Sequence, residues 1–234
     1  MKNRTEKAAP RRSTNILTDI KYYLLCKPPV KTLVEHNGAG TRTELGKSIL
    51  QRTGVDVENY KMLNVHRVGI ETPASYVFDE LMRWSGESIC WPNRIAKVQL
   101  QDESLENIKI YLFGINKRLF GLSLFHLFDL SSIRIQRVPA PSDHDNARYL
   151  LYECKGGYPI GVFSMYVRSS IPERDEKEMS QLFMMVSFNF YGRSNMRFNF
   201  INRIWEGIHN RVTSNIVYRI KELCEWKFES FTNE

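Results

Sequence analysis

Residues 200–228 read FINRIWEGIHNRVTSNIVYRIKELCEWKF. Ile201, Ile204, Trp205, Ile208, Val212, Ile216, Ile220 and Leu223 recur there at mostly three- and four-residue spacing, the period of one helix face. The stripe predicts a single helix from Phe200 to about Phe228. Its opposite face carries Arg203, Glu206, Asn210, Arg211, Lys221 and Glu225. A helix so apolar on one side has to lie on something, and a sheet is the only large partner the rest of the chain offers.

Upstream of that helix the pattern is one of strands. Val65, Arg67 and Gly69 alternate with His66, Val68 and Ile70, so one face can be buried while the other stays wet. Thr72 is a good N-cap and Pro73 fits the first helical position, which predicts a short helix from Ala74 to Met82 with Val77, Phe78, Leu81 and Met82 inward. Trp91-Pro92-Asn93 then turns the chain into a strand from Ile95 to Leu100. Further strands are expected over Ile108–Phe113, Phe120–Asp129, Ile133–Val138, Arg148–Cys154, Ile160–Ser169 and Gln181–Tyr191. Turn-rich stretches separate them, and Gly156-Gly157 marks a tight hairpin. Short strands joined by turns pair antiparallel, because parallel neighbours need long crossovers.

The chain of 234 residues is 42% apolar and 25% charged, ordinary for a globular protein with one sizeable core. No uncharged apolar run is long enough to span a membrane; the strongest, Leu119 to Leu130, contains His126 and Asp129. The first 60 residues hold eleven Lys/Arg against six Asp/Glu, whereas the remainder is nearly balanced. The basic tail could touch an anionic membrane surface transiently. Nucleic acid is a poor fit, since that needs Lys/Arg interleaved with aromatics on one sheet face. Residues 1–14 lack apolar periodicity and are expected to be disordered. Helices are expected over Ile16–Cys26 and Thr43–Arg52, with His36-Asn-Gly-Ala-Gly40 as a loop. Cys26, Cys90, Cys154 and Cys224 stand singly, which suits free thiols in a reducing cytoplasm.

Together these parts resemble the helix-grip fold of the START-like (SRPBCC) superfamily, which includes polyketide cyclases, Bet v 1-like proteins and lipid-transfer domains. The matching residues are the opening Glu71-x-Pro73-x-x-x-Val77, the Trp91-Pro92 step, Glu153-x-x-x-Gly157-x-Pro159 followed by Tyr166, and Phe188-x-Phe190-Tyr191 before the last helix. The resemblance covers roughly residues 60–229 and rests on the order of the parts. It implies an α+β fold: a curved antiparallel sheet of about seven strands around the C-terminal helix, with an internal apolar pocket. Residues 1–59 form an extension outside that pattern, and residues 60–234 the helix-grip domain.

No P-loop, GxGxxG after a strand, HExxH or GxSxG elbow is present, and no Cys/His cluster has metal-ligand spacing. Neither cofactor nor metal is expected. Candidates for lining a pocket are His66, Trp91, His126, Tyr152, Glu153, Tyr166, Arg168, Met184, Phe188, Trp205, Ile208 and Val212. An inward histidine could orient a ligand or carry a proton, aromatic residues suit a mixed pocket, and methionines adapt to lipid-like shapes. Taken singly, the histidines and aromatics are more often ordinary packing, Glu153 and Arg168 more often outward-facing, and the methionines equally well core filling. Two functions compete. One is binding or transport of a hydrophobic small molecule (lipid, isoprenoid, quinone or polyketide-like) between sheet and helix. The other is a cyclase or dehydratase on a polyketide or aromatic substrate, using a pocket His or Tyr.

Overall fold

The computed structural model describes residues 17–18, 21–38, 47–49, 60, 62–83, 96–100, 108–112, 118–119, 122–123, 126–137, 148–155, 161–170, 179–188 and 199–232. In chain order they form a π-helical turn (Lys21–Leu25), β1 (Leu33–Gly38), β2 (Met62–Ile70), α1 (Ala74–Leu81), β3 (Ala96–Leu100), β4 (Ile108–Leu112), β5 (Arg118–Leu119), β6 (Leu122–Ser123), β7 (His126–Arg137), β8 (Arg148–Lys155), β9 (Val162–Ser169), β10 (Ser180–Phe188) and α2 (Asn199–Thr232). Eight of these strands make one antiparallel sheet in the order β1-β2-β10-β9-β8-β7-β4-β3, while β5 and β6 pair separately. The fold is therefore α+β, an antiparallel sheet with a long C-terminal helix.

Three elements depart from the expectation in instructive ways. The predicted loop at His36–Gly40 begins inside β1, which lies against β2 at the sheet edge. A bulge between Leu33 and Glu35 breaks its alternation, so no period of two was visible there. Of the two strands expected over Phe120–Asp129 and Ile133–Val138, residues 126–129 and 133–137 lie in a single strand, β7, bulged between Leu130 and Ser132, while Leu122–Ser123 form β6. Ser131-Ser132 reads as a break but acts as a bulge. Thr72 does not cap α1: the N-cap position is Pro73, with no side-chain capping bond. The helices expected over 16–26 and 43–52 are described only as the π-helical turn with residues 17–18, and as residues 47–49.

Strand β2 is buried on both faces, where one wet face was expected. Inward, Val68 and Ile70 join Leu150, Tyr152, Phe163, Met165, Val167, Leu182, Met184 and Val186, with α1 and the Ile216, Val217, Ile220 and Cys224 positions of α2 packed over them. Outward, Leu63 and Val65 join Val162, Tyr166, Phe183 and Met185 in a second cluster that includes Ile49 and Tyr60. The chain before β2 thus contributes side chains to the outer layer. Gly161 marks how close that approach is, since a Cβ there would collide with the Tyr60 ring. Gly161→Ala is expected to cost about 1–3 kcal/mol through overpacking. The Tyr60→Ala, Gly161→Ala double variant should lose less than the sum of the singles in urea denaturation.

Helix α2 is held along β2 by polar contacts. Lys221 Nζ donates to the Gly69 carbonyl and to Glu225, and Glu225 accepts the Glu71 backbone N–H. Lys227 of α2 bonds to the buried Glu80 of α1 at 2.9 Å, and Arg83 holds the other oxygen of Glu80. On the far side Asn215 donates to the carbonyls of Tyr23 and Cys26 and so fastens the π-helical turn to α2. The face of α2 opposite the apolar stripe therefore lies against β2 over Asn210, Lys221 and Glu225. Ile204 and Ile208 of the apolar stripe are about half exposed instead. A side chain's polarity alone does not set a helix's rotation when the strand beneath offers polar partners.

Candidate functional site

Because side chains alternate along β2, Asn64 and His66 point to the same inner face as Val68 and Ile70. Both meet α2. Asn64 Nδ2 donates to Asn210 Oδ1 at 2.8 Å, and His66 Nε2 approaches the same oxygen at 3.4 Å. On its other side His66 Nδ1 lies 3.2 Å from Thr32 Oγ1 and 3.3 Å from Ser214 Oγ. The set assigns the proton of His66 to Nε2, leaving Nδ1 to accept from the two hydroxyls. Burial pushes the His66 pKa down to about 4, against the opposing pull of the Asn210 hydrogen bond. His209 of α2 is likewise pushed down to about 4, by burial and then by the neighbouring His66. Both imidazoles are neutral at pH 7.

Strand register places this polar group at the end of an apolar strip. Asn64 pairs with Val186, Val186 with Phe163, and Phe163 with Tyr152. One step along, His66 pairs with Met184, Met184 with Met165, and Met165 with Leu150. Apart from Asn64 and His66, every member of these two rows belongs to the inner apolar cluster. Three strand spacings separate β2 from β8, so the strip is about 14 Å long. The Tyr152 and Phe163 rings lie together at its far end, centroids 6.1 Å apart.

Of the sequence candidates, His66, Tyr152 and Met184 thus share the inner face, and Val212 of α2 packs at its margin. Tyr166 and Arg168 do not. Tyr166 is buried in the outer cluster against Phe183, ring centroids 5.9 Å apart. Arg168 lies over that same Phe183 ring at 5.2 Å and donates to Gln181. They occupy alternate β9 positions, one residue out of phase with Met165 and Val167, which puts them on the other face. Ile208 is also displaced, half exposed on α2, because the helix turns Asn210 and Ser214 toward β2. For His126, Glu153, Phe188 and Trp205 the backbone place alone is described: His126 pairs with Tyr111, Glu153 with Val162, Phe188 with Met62, and Trp205 lies in α2. Trp91 lies outside the described residues.

The sequence reading missed Asn64, Asn210 and Ser214. Two signals pointed to them: Asn64 is in phase with His66 on the strand, and Asn210 and Ser214 are four apart on the helix. Among the described residues no group of three or more His, Cys, Asp or Glu could hold a metal ion, and no helix is long and apolar enough to cross a membrane.

After α1 the chain builds the far side of the sheet and comes back strand by strand to β10, which pairs beside β2; α2 then lies on the inner face along β2. This is a helix-grip arrangement, an antiparallel sheet with a long C-terminal helix on its inner face. No protein-family model matches the sequence, and no curated protein does. Solved structures similar to this helix grip include the human StarD13 lipid transfer and protein localization domain, at 11% identity over 90% of this chain and 97% of that one, TM-score 0.44. The Zhui aromatase/cyclase from Streptomyces sp. R1128 is 16% identical, covering 72% of this chain and 94% of its own, TM-score 0.42. Human StAR-related lipid transfer protein 5 is 9% identical over 76% and 94%, TM-score 0.41.

Proposed function

We propose that the protein binds and carries a hydrophobic small molecule between the inner sheet face and α2. The observation that supports it most is the strip from Asn64 and His66 to Tyr152 and Leu150, apolar between the amide and imidazole at one end and the Tyr152 phenol at the other. Such a surface matches an amphiphile with one small polar group, the arrangement common in small-molecule sites. Polar residues on a buried face cost stability unless something is gained, and a ligand's polar end is the gain this reading assigns. In this reading residues 60–234 are the binding domain and residues 1–59 an extension to it.

Native mass spectrometry of the full chain tests the proposal. The protein is measured as purified and after incubation with a total lipid extract, and an adduct of lipid-like mass is expected in at least one sample. Bare protein mass in both would end the carrier reading.

A second reading, a cyclase or dehydratase, draws on the inward placement of His66. Both ring nitrogens of His66 are engaged by Asn210, Thr32 and Ser214, so a proton-transfer role would require substrate to displace one of these partners. That requirement makes binding the stronger reading.

A further inference from the structure

We infer that the ligand of this strip is an apolar alcohol, its uncharged hydroxyl held by Asn64, rather than a fatty acid or a plain hydrocarbon. The inference rests on the carrier reading and deepens it. Asn64 is 2% exposed, its Nδ2 is committed to Asn210, and its Oδ1 has no hydrogen-bond partner among the described residues. A buried amide oxygen left without a donor costs about 1–3 kcal/mol. Such an oxygen at the head of an apolar row is a demand for a hydrogen, and a hydroxyl at the end of an apolar body meets it.

A carboxylate at neutral pH brings only lone pairs, and the polar group offers it no cation. Thr32, Asn210 and Ser214 are uncharged, and burial keeps His66 and His209 neutral at pH 7. Arg211, the nearest charged residue along α2, is set about 100° round the helix from Asn210, and the next ones are already engaged. Glu206, one turn before Asn210, is itself acidic and meets His36 of β1. Lys221, farther along the helix, is bound to the Gly69 carbonyl and Glu225. A buried anion without a partner is strongly disfavoured. A hydrocarbon fits the strip but leaves Asn64 as it was, so it gains nothing from the polar end.

The test is competition against Nile red, a neutral apolar dye, on the full chain at pH 7.5. The competitors are dodecanol, dodecyl methyl ether, dodecanoic acid and dodecane. Dodecanol is expected to displace the dye about tenfold more tightly than the ether or the alkane, the ratio that one buried hydrogen bond supports. Dodecanoate should be the weakest of the four. Asn64→Leu should abolish the advantage of dodecanol over the ether while dodecane still competes. Equal displacement by dodecanol, ether and dodecane from the unsubstituted protein would overturn the inference and leave the carrier reading intact, whether or not the Asn64→Leu variant folds. A preference for dodecanoate would overturn it equally. No displacement by any of the four overturns both.

Discussion

Replacing Phe183 by alanine is expected to lower the free energy of unfolding by about 3–5 kcal/mol, read as a fall in the urea midpoint at unchanged slope. Phe183 sits on the outer face of the sheet, where a simple two-layer arrangement would put solvent. It is instead fully buried, packed against Tyr166 and among Leu63, Val65, Val162 and Met185. Loss of its ring would leave a cavity whose walls are strand side chains with little freedom to collapse. Arg168, lying over the same ring, would lose its cation–π partner as well. A surface aromatic on a strand costs far less when truncated. A measured loss below about 1 kcal/mol would mean that the outer layer is not a core at all.

Acidification gives the second large effect. His66 and His209 have folded-state pKa values lowered to about 4, by burial first in both cases, against about 6.5 in the unfolded chain. Below pH 6.5 the unfolded chain takes up protons that the folded protein refuses, so stability is retained above that pH and falls as pH drops toward 4. For His66, which is fully buried, the loss across this window is on the order of 3 kcal/mol. The two imidazoles interact, so their effects do not simply double. Urea titrations at pH 7 and pH 4.5 measure the change. His66→Gln should flatten the slope of stability against pH, whatever its effect at pH 7. An identical slope in wild type and His66→Gln would remove His66 as its source and contradict the neutral, buried assignment.

The sequence told more about which elements exist than about how they turn. Strand alternation located β2, β8, β9 and β10, and Gly156-Gly157 fell between β8 and β9, which do pair antiparallel. The helical stripe located α2, yet its rotation was misjudged. Ile216 and Ile220 are core while Ile208 is half exposed, because Asn210 and Ser214 find partners on β2 that no periodicity of apolar residues can announce. Tyr166 and Arg168 failed as site residues for a related reason. With both sheet faces buried, polarity no longer distinguishes inner from outer, and only the phase relative to Met165 settles it. His66 was legible as a histidine in an apolar strand. Its partners come from α2 and Thr32, and nothing local in the sequence joins them.

The polar seam between β2 and α2 also bears on how the chain is made. Asn64 and Asn210 are 146 residues apart, and β2 finds its inner neighbour, β10, only late in the chain. During synthesis β2 therefore emerges long before either partner exists. Its unpaired edge and its amide and imidazole groups stay hydrated until β10 and α2 have left the ribosome. Long-range pairing of this kind slows folding and prolongs the exposure of an open strand edge. A nascent chain stalled before residue 180 would be a candidate for chaperone capture rather than for early docking of its first strands.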